Sequence, residues 1–114
     1  MDTFGQKIKS LRKAKRITQL ELAERIGVDF TYVSKIENDR TIRTPAESTI
    51  RKIAEVLDVN AEELILLARK VPQNLQETIV QDSLAVDFLR TVPKFNAAER
   101  EEISKFIERV GRRD

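Results

Sequence analysis

Apolar residues recur along this chain at spacings of three and four, with polar residues between them. That period is typical of amphipathic helices that bury one face. In the first part of the chain it predicts five helices, whose core-facing residues are Phe4, Ile8 and Leu11, then Leu22, Ala23 and Ile26, then Val33 and Ile36, then Ile50, Ile53, Ala54 and Leu57, and finally Leu64, Leu67 and Ala68. Two further helical segments follow Pro72, so the pattern predicts an all-α protein.

Two of these predicted helices lie close together between Thr18 and Asn38. Thr18 suits the position before a helix, and Glu21 three residues later completes a capping box. Gly27 can adopt the left-handed conformation that ends a helix, and Asp29 can cap the next one. A short helix, a tight turn and a second short helix form a helix-turn-helix, whose second helix enters the major groove of DNA.

Capping patterns also predict where the later helices begin. Thr44 and Glu47 form a second capping box, with Pro45 at the first helical position. The same logic places a helix after Asn60 and a last helix after Asn96.

The residues TQxELAxxxGV and VSxIEN in the central stretch resemble the Xre/Cro family of phage-type repressors, which share the lambda-repressor-like DNA-binding domain. The resemblance covers residues 4–68, and its glutamine, alanine, glycine and Glu-Asn pair all occur at the family's spacing. It implies a five-helix lambda-repressor-like helix-turn-helix domain over residues 1–70, followed by a two-helix C-terminal extension over residues 71–114. It also implies a sequence-specific transcriptional regulator of double-stranded DNA, more typically a repressor, that reads an operator through helix 29–38.

The resemblance assigns base-reading positions on the second helix of the motif. Thr31, Tyr32 and Lys35 match the family's reading positions, with Phe30 at the edge. Lys35 can donate to guanine, while Thr31 and Phe30 can contact a thymine methyl group. Two alternatives stay open: Phe30 can instead be a staple at the helix start, and Tyr32 can lie along the DNA backbone.

Four residues are candidates for phosphate contacts. Gln19 lies at a helix N-terminus, where its amide and the free backbone N–H groups favour an anion. Asn38 is the second candidate clamp, and Arg40 and Arg43 in the following loop either reach phosphate or are solvated. Asp39 stands where the family usually has glycine, and the loop is longer than in compact family members, so its path is not predicted.

The resemblance also implies a structural ion pair between Arg12 and Glu37. Such a pair would join the first helix to the recognition helix, and removing one partner of a buried pair is costly. Contact of Arg12 with DNA is the less favoured alternative.

Charge is unevenly distributed along the chain. Residues 1–43 contain ten Lys or Arg and six Asp or Glu, an excess of +4, whereas the whole chain carries only +2. The run from Lys7 to Arg16 contains six basic residues and no acidic one. A solvated helix face is the ordinary interpretation of such a run. Beside a helix-turn-helix, a surface that faces phosphate is favoured for part of it.

The extension after Pro72 is expected to be an interface, because two helices have too little interior to be stable alone. A homodimer through these helices is favoured, since helix-turn-helix proteins read paired half-sites. The helices can alternatively cover the first domain or bind another protein, as in an antitoxin or immunity-type regulator. The candidate dimerisation residues are Leu84, Phe88, Ile103, Phe106, Ile107 and Val110.

Composition argues against other classes of function. The chain has no histidine and no cysteine, and it contains no glycine-rich phosphate loop. An enzyme, a metal site and a bound cofactor are therefore not expected. RNA binding is not expected either, because there is no aromatic stacking platform. No apolar run is long enough to span a membrane and no signal peptide is evident, so a cytoplasmic protein is expected.

Overall fold

The computed structural model describes residues 2–113, and every regular element in that range is a helix, which confirms the all-α class. The chain forms two compact units, one up to Gln73 and one from Asn74 onward. The α-helices are α1 Phe4–Ala14, α2 Gln19–Ile26, α3 Phe30–Glu37, α4 Glu47–Leu57, α5 Ala61–Leu67, α6 Gln73–Gln81, α7 Ser83–Thr91 and α8 Ala97–Gly111, and a 3₁₀ helix Val92–Lys94 lies between the last two.

The first unit is built around one hydrophobic core. Helix α3 packs against α1 and α2, α2 packs against α4, and α4 packs against α5. Burial of each large aliphatic side chain stabilises this arrangement by about 1.5–3 kcal/mol. The fully buried large side chains of the core are Ile8, Leu22, Val33, Ile50, Ile53, Leu57 and Ile65.

The helix boundaries around the central motif are those predicted from capping. The hydroxyl of Thr18 accepts from the N–H of Glu21, and the Glu21 carboxylate accepts from the N–H of Thr18, so the capping box is present. Gly27 ends α2 at a φ of 74°, which is the left-handed region. Asp29 occupies the N-cap position of α3, although its side chain makes no capping hydrogen bond.

The predicted capping box at Thr44 is wrong. The N-cap of α4 is Ala46, which has no side-chain capping bond, and Pro45 is buried ahead of the helix. The Glu47 carboxylate instead accepts from the backbone N–H of Gln73 at 2.8 Å and from Arg51 at 3.1 Å. The N–H of Gln73, more than Arg51, lowers the pKa of the Glu47 carboxyl. The helix begins at Glu47, two residues later than predicted, so Glu47 lies at its first position rather than its third and cannot complete a capping box.

Residue Asp39 joins the end of α3 to the start of α1. Its φ is 56°, the left-handed conformation for which a glycine would be expected. Its carboxylate accepts from the hydroxyl of Thr3 and from the backbone N–H of Gly5 at 3.0 Å. A Cβ at Gly5 would overlap with the backbone oxygen of Ile36, so the two helices approach closely at this point. The two hydrogen bonds offset the backbone strain that Asp39 accepts.

The second unit contains three α-helices rather than the predicted two. The single helix expected over residues 75–92 is interrupted at Asp82, whose backbone is extended. The Asp82 carboxylate accepts from the N–H of Leu84 at 3.0 Å, so the residue caps α7. The boundary between the two units lies after Gln73, so the buried Pro72 belongs to the first unit. The sequence had suggested a boundary after Lys70. Separate functions for the two parts remain a prediction.

Candidate nucleic-acid interface

Helix α3 presents one face to the core and the other to solvent. Val33 and Ile36 are buried, and they fix α3 on α1 and α2. Phe30, Thr31 and Lys35 are exposed on the other side of the helix. Tyr32 is half-buried and packs partly against the core. All four predicted base-reading residues therefore retain surface that a ligand can contact.

A groove runs between α3 and the loop that follows it. Its α3 side includes Tyr32 and Lys35, and its loop side includes residues 40–44. The structure thus brings two of the predicted base-reading residues together with Arg40 and Arg43, which were predicted to contact phosphate. Phe30 and Thr31 lie at the start of α3 and do not line this groove.

The groove is cationic. Lys35, Arg40 and Arg43 are all exposed, and within the described part of the chain none of them forms an ion pair. Positive charges that are not neutralised by their own chain can attract a polyanion and release its counterions. The electrostatics of this surface therefore suit a phosphate backbone.

The first turn after α3 fixes the beginning of the loop. The backbone N–H of Arg40 donates to the carbonyl of Lys35 at 2.9 Å. The side-chain amide of Asn38 donates to the carbonyl of Ser34 at 2.9 Å. Asn38 is exposed, and its amide nitrogen has a second hydrogen for another acceptor. A phosphate contact by Asn38 remains a prediction.

A buried polar network joins α1, α2 and α3. Arg12 forms a bidentate pair with Glu37, from Nε to Oε2 at 2.6 Å and from Nη2 to Oε1 at 3.0 Å. Its Nη1 also donates to the carbonyl of Ile17 at 2.8 Å. The side chains of Arg12 and Glu37 are almost entirely buried. The structure therefore contains the ion pair that the family resemblance implied, in the strong bidentate geometry.

The same network includes Gln19. Its Nε2 donates to Oε1 of Glu37 at 3.0 Å, so the residue expected to bind phosphate also supports the ion pair. One of the two hydrogens on Nε2 remains for a second acceptor. Gln19 is half-buried at the first position of α2. Its predicted phosphate contact is compatible with this position and stays a prediction.

The basic run at the start of the chain has more than one role. Arg12 belongs to the buried network, and Lys15 lies 3.8 Å from Asp58 in an exposed ion pair. Such an exposed pair contributes little to stability. Lys7, Lys9 and Lys13 are exposed along α1. The run is therefore partly structural and partly a solvated helix face.

The predicted dimerisation residues retain exposed apolar surface. Helices α6, α7 and α8 contain no buried residue, and Phe106 is 52% exposed. A groove within the second unit includes Phe88, Ile103 and Ile107, and its other lining residues include Val92, Phe95 and Arg100. Leu84 and Phe106 are exposed outside this groove, and Val110 is half-exposed.

Two other kinds of feature, a metal site and a membrane-spanning helix, are absent from residues 2–113. The described residues contain no group of three or more acidic, cysteine or histidine side chains that could hold a metal ion. No helix in the described range combines the length and the apolar character needed to cross a membrane.

A helix-turn-helix with an exposed second helix beside a cationic groove defines a DNA-binding protein. A family model described as helix-turn-helix matches residues 8–64 of the chain. The chain belongs to the Xre/Cro-type helix-turn-helix family of DNA-binding transcriptional regulators. The family and the regulator class predicted from the sequence are thereby confirmed.

The similarity to known proteins extends beyond residues 8–64. The chain is 32% identical to the HTH-type transcriptional regulator RghRB of Bacillus subtilis over 92% of its own length and 83% of that protein. It is 29% identical to the immunity repressor protein of Bacillus phage phi105 over 95% of this chain, but spans only 62% of that repressor.

Two solved structures of the biofilm regulator SinR are also similar. The first, SinR in complex with DNA, is 38% identical, matches 55% of this chain and 98% of that chain, and has a TM-score of 0.51. The second, a complex of SinR with SinI, is 28% identical, matches 96% of this chain and 95% of that chain, and has a TM-score of 0.52.

Proposed function

We propose that this regulator is a dimeric repressor that occupies an operator through α3 and blocks transcription there. The observation that carries the proposal is the exposed face of α3 together with the cationic groove beside it. Similarity to the immunity repressor of phage phi105 supports repression rather than activation. A regulator of this kind acts where the chromosome is, so we also propose a cytoplasmic location and assign no catalytic activity.

The proposed reading residues are those on the exposed face of α3. Lys35 donates to the O6 and N7 atoms of guanine, and Thr31 contacts a thymine methyl group. Tyr32 contributes a hydroxyl to a base edge or to the backbone. Phe30 adds an apolar contact at the start of the helix. Good bidentate contacts to a base discriminate against the wrong base by about 1–3 kcal/mol.

The proposed phosphate contacts surround this face. Gln19 contributes its second amide hydrogen together with the N-terminus of α2, and Asn38 contributes its amide at the other end of α3. Arg40 and Arg43 contact phosphates from the loop side of the groove. These contacts set the register of the protein on the duplex and supply most of the salt-dependent affinity.

The proposed dimer forms through the second unit. Exposed apolar patches mark interaction surfaces, and Phe106 and Ile107 of this unit are both more than half exposed. A twofold pairing would place two copies of α3 about 34 Å apart or at a multiple of that distance, which matches successive turns of DNA. Each protomer would then read one half-site.

Selection of bound sites from random duplex DNA tests the proposal directly. We expect the recovered sites to contain one motif repeated as two half-sites at a spacing of about 10 base pairs or a multiple. The comparison is with Phe106→Glu, which should prevent dimerisation and leave the DNA-binding unit unchanged. This variant should therefore recover single half-sites. Equal and weak binding to every duplex, with no enriched motif, would contradict sequence-specific repression.

A second proposal is that the regulator is controlled by a partner protein. The support is the similarity to SinR in its complex with SinI, which extends over 96% of this chain. An antitoxin or immunity-type role would have the same physical basis, since the exposed apolar surface of the second unit could bind another chain. An adjacent open reading frame is the natural candidate. Its purified product should displace the regulator from its operator, and operator binding that is unchanged by a saturating excess would contradict this control.

A further inference from the structure

Ile42 is the most exposed of the large apolar residues in residues 2–113. Its side chain is fully exposed in the loop between α3 and α4. Arg40 and Arg43 flank it in the sequence, and both are exposed as well. Among the described residues of the first unit, Ile42 belongs neither to the hydrophobic core nor to the side chains packed against it, so core packing does not account for an isoleucine at this position. A fully hydrated isoleucine is unfavourable compared with a buried one, so a bound partner could gain affinity by covering it.

The structure holds this loop beside the recognition helix. Ile42 lines the same groove as Tyr32 and Lys35. The loop begins at a fixed point, because the N–H of Arg40 donates to the carbonyl of Lys35 and closes the last turn of α3. Its other end is anchored by the buried Pro45. A ligand that contacts the exposed face of α3 at Lys35 would therefore meet Ile42 too.

The chemistry of the loop indicates which ligand this is. Two arginines suit an anionic partner, and an isoleucine between them suits an apolar patch close to the anions. Duplex DNA offers this combination, since thymine methyl groups and deoxyribose edges lie beside the phosphates. An acidic protein could also offer it. Continuity with the cationic groove of α3 favours DNA, because one duplex would cover both surfaces.

We propose that Ile42 is a DNA-contacting residue, which makes an apolar contact with the duplex between phosphate contacts of Arg40 and Arg43. The inference rests on the proposed reading of DNA by α3. It adds a contact of a different kind: the burial of Ile42 releases no counterions, so its share of the affinity does not depend on salt. Arg40 and Arg43 supply the salt-dependent share from the same loop.

The test compares variants of the full-length chain on the selected operator at several salt concentrations. Ile42→Ala should weaken binding by about tenfold at every salt concentration, since it removes most of the buried aliphatic surface. The slope of log affinity against log salt should equal that of the wild-type protein. Arg43→Ala should instead make that slope shallower by about one.

A matched pair of variants isolates the apolar character of the contact. Valine and threonine have nearly the same shape, but threonine replaces a methyl group by a hydroxyl. Ile42→Val should bind the operator within about threefold of the wild-type protein, and Ile42→Thr should bind clearly more weakly. Unfolding midpoints of all these variants should be unchanged, because the side chain makes no contact with the core.

Deoxyuridine substitution identifies the group on the DNA. Replacing one thymine at a time by deoxyuridine removes a single methyl group from the major groove. If one replacement abolishes the difference between wild type and Ile42→Ala, the contact is to that methyl group. If the difference persists at every position, the contact is to deoxyribose. Both results support the proposal.

The proposed contact of Ile42 would be overturned if Ile42→Ala bound the operator with full affinity. It would also be overturned if Ile42→Val and Ile42→Thr bound equally well. In that case Lys35→Ala should still impair binding, so the proposed function of α3 would survive. Failure of the wild-type protein to select any operator is a separate result, and it would remove the proposed function itself.

Discussion

Replacing Arg12 by alanine tests whether the buried network fixes the position of the recognition helix. The substitution removes two N–H donors from Glu37 and one from the carbonyl of Ile17. Glu37 is only 3% exposed, so water cannot easily replace the donors that it loses. Gln19 would remain as its partner, with a single hydrogen bond. One neutral donor cannot balance a buried carboxylate that was held by a bidentate guanidinium.

The expected loss of stability follows from this geometry. Removing one partner of a buried pair costs about 3–5 kcal/mol. The lower end applies here, because Gln19 still donates to Glu37. For a domain of about 70 residues, 3 kcal/mol corresponds to a decrease in Tm of roughly 12–24 °C. Operator affinity should also fall, since α3 loses the buried polar link that joins it to α1, although the packing of the two helices and the hydrogen bonds of Asp39 remain.

Thermal and denaturant unfolding without DNA measures the effect. Lys15→Ala is the control, because it removes an exposed ion pair at 3.8 Å that should contribute less than about 1 kcal/mol. Arg12→Met combined with Glu37→Leu should recover much of the stability, since an apolar pair leaves no buried charge unpartnered. An unchanged unfolding midpoint for Arg12→Ala, or no recovery in the double variant, would refute the reasoning.

Three further predictions concern other parts of the molecule. Gly5→Ala should destabilise the protein by about 1–3 kcal/mol in denaturant unfolding, because a Cβ would overlap with the backbone of α3. In operator titrations, Lys35→Ala should relax base preference at one position, whereas Gln19→Ala should weaken binding to every sequence; equal shifts for both would contradict the assigned roles. Phe106→Glu should give a monomer in sedimentation at micromolar concentration and weaker operator binding, and a monomeric wild-type protein would contradict the dimer.

Local sequence rules were sufficient for the central motif. The capping box of Thr18 and Glu21 and the left-handed Gly27 each depend on residues within one turn of the helix end. Periodicity also identified Val33 and Ile36 as the buried side of α3 and so, by exclusion, the exposed side. These features are predictable because the interactions that determine them join residues that are close together in the sequence.

Long-range interactions explain what the sequence did not predict. The pair of Arg12 with Glu37 spans 25 residues, and only the family resemblance suggested it. Helical periodicity missed the interruption at Asp82, because the apolar pattern continues through it while the side chain caps the next helix. The role of Gln19 in the network was likewise hidden, since a glutamine at a helix N-terminus is equally suited to solvent or phosphate.

The loop from Asn38 to Ala46, which is part of the proposed DNA interface, could not be predicted from local sequence rules. Asp39 accepts a left-handed backbone because its carboxylate binds the start of α1, and at the other end of the loop the Glu47 carboxylate accepts from the N–H of Gln73. Both side chains are committed to distant segments, so both ends of the loop are fixed by tertiary contacts. A loop held in this way loses less conformational freedom when it binds a ligand. The same contacts that made the loop unpredictable therefore preorganise Ile42 for contact with DNA.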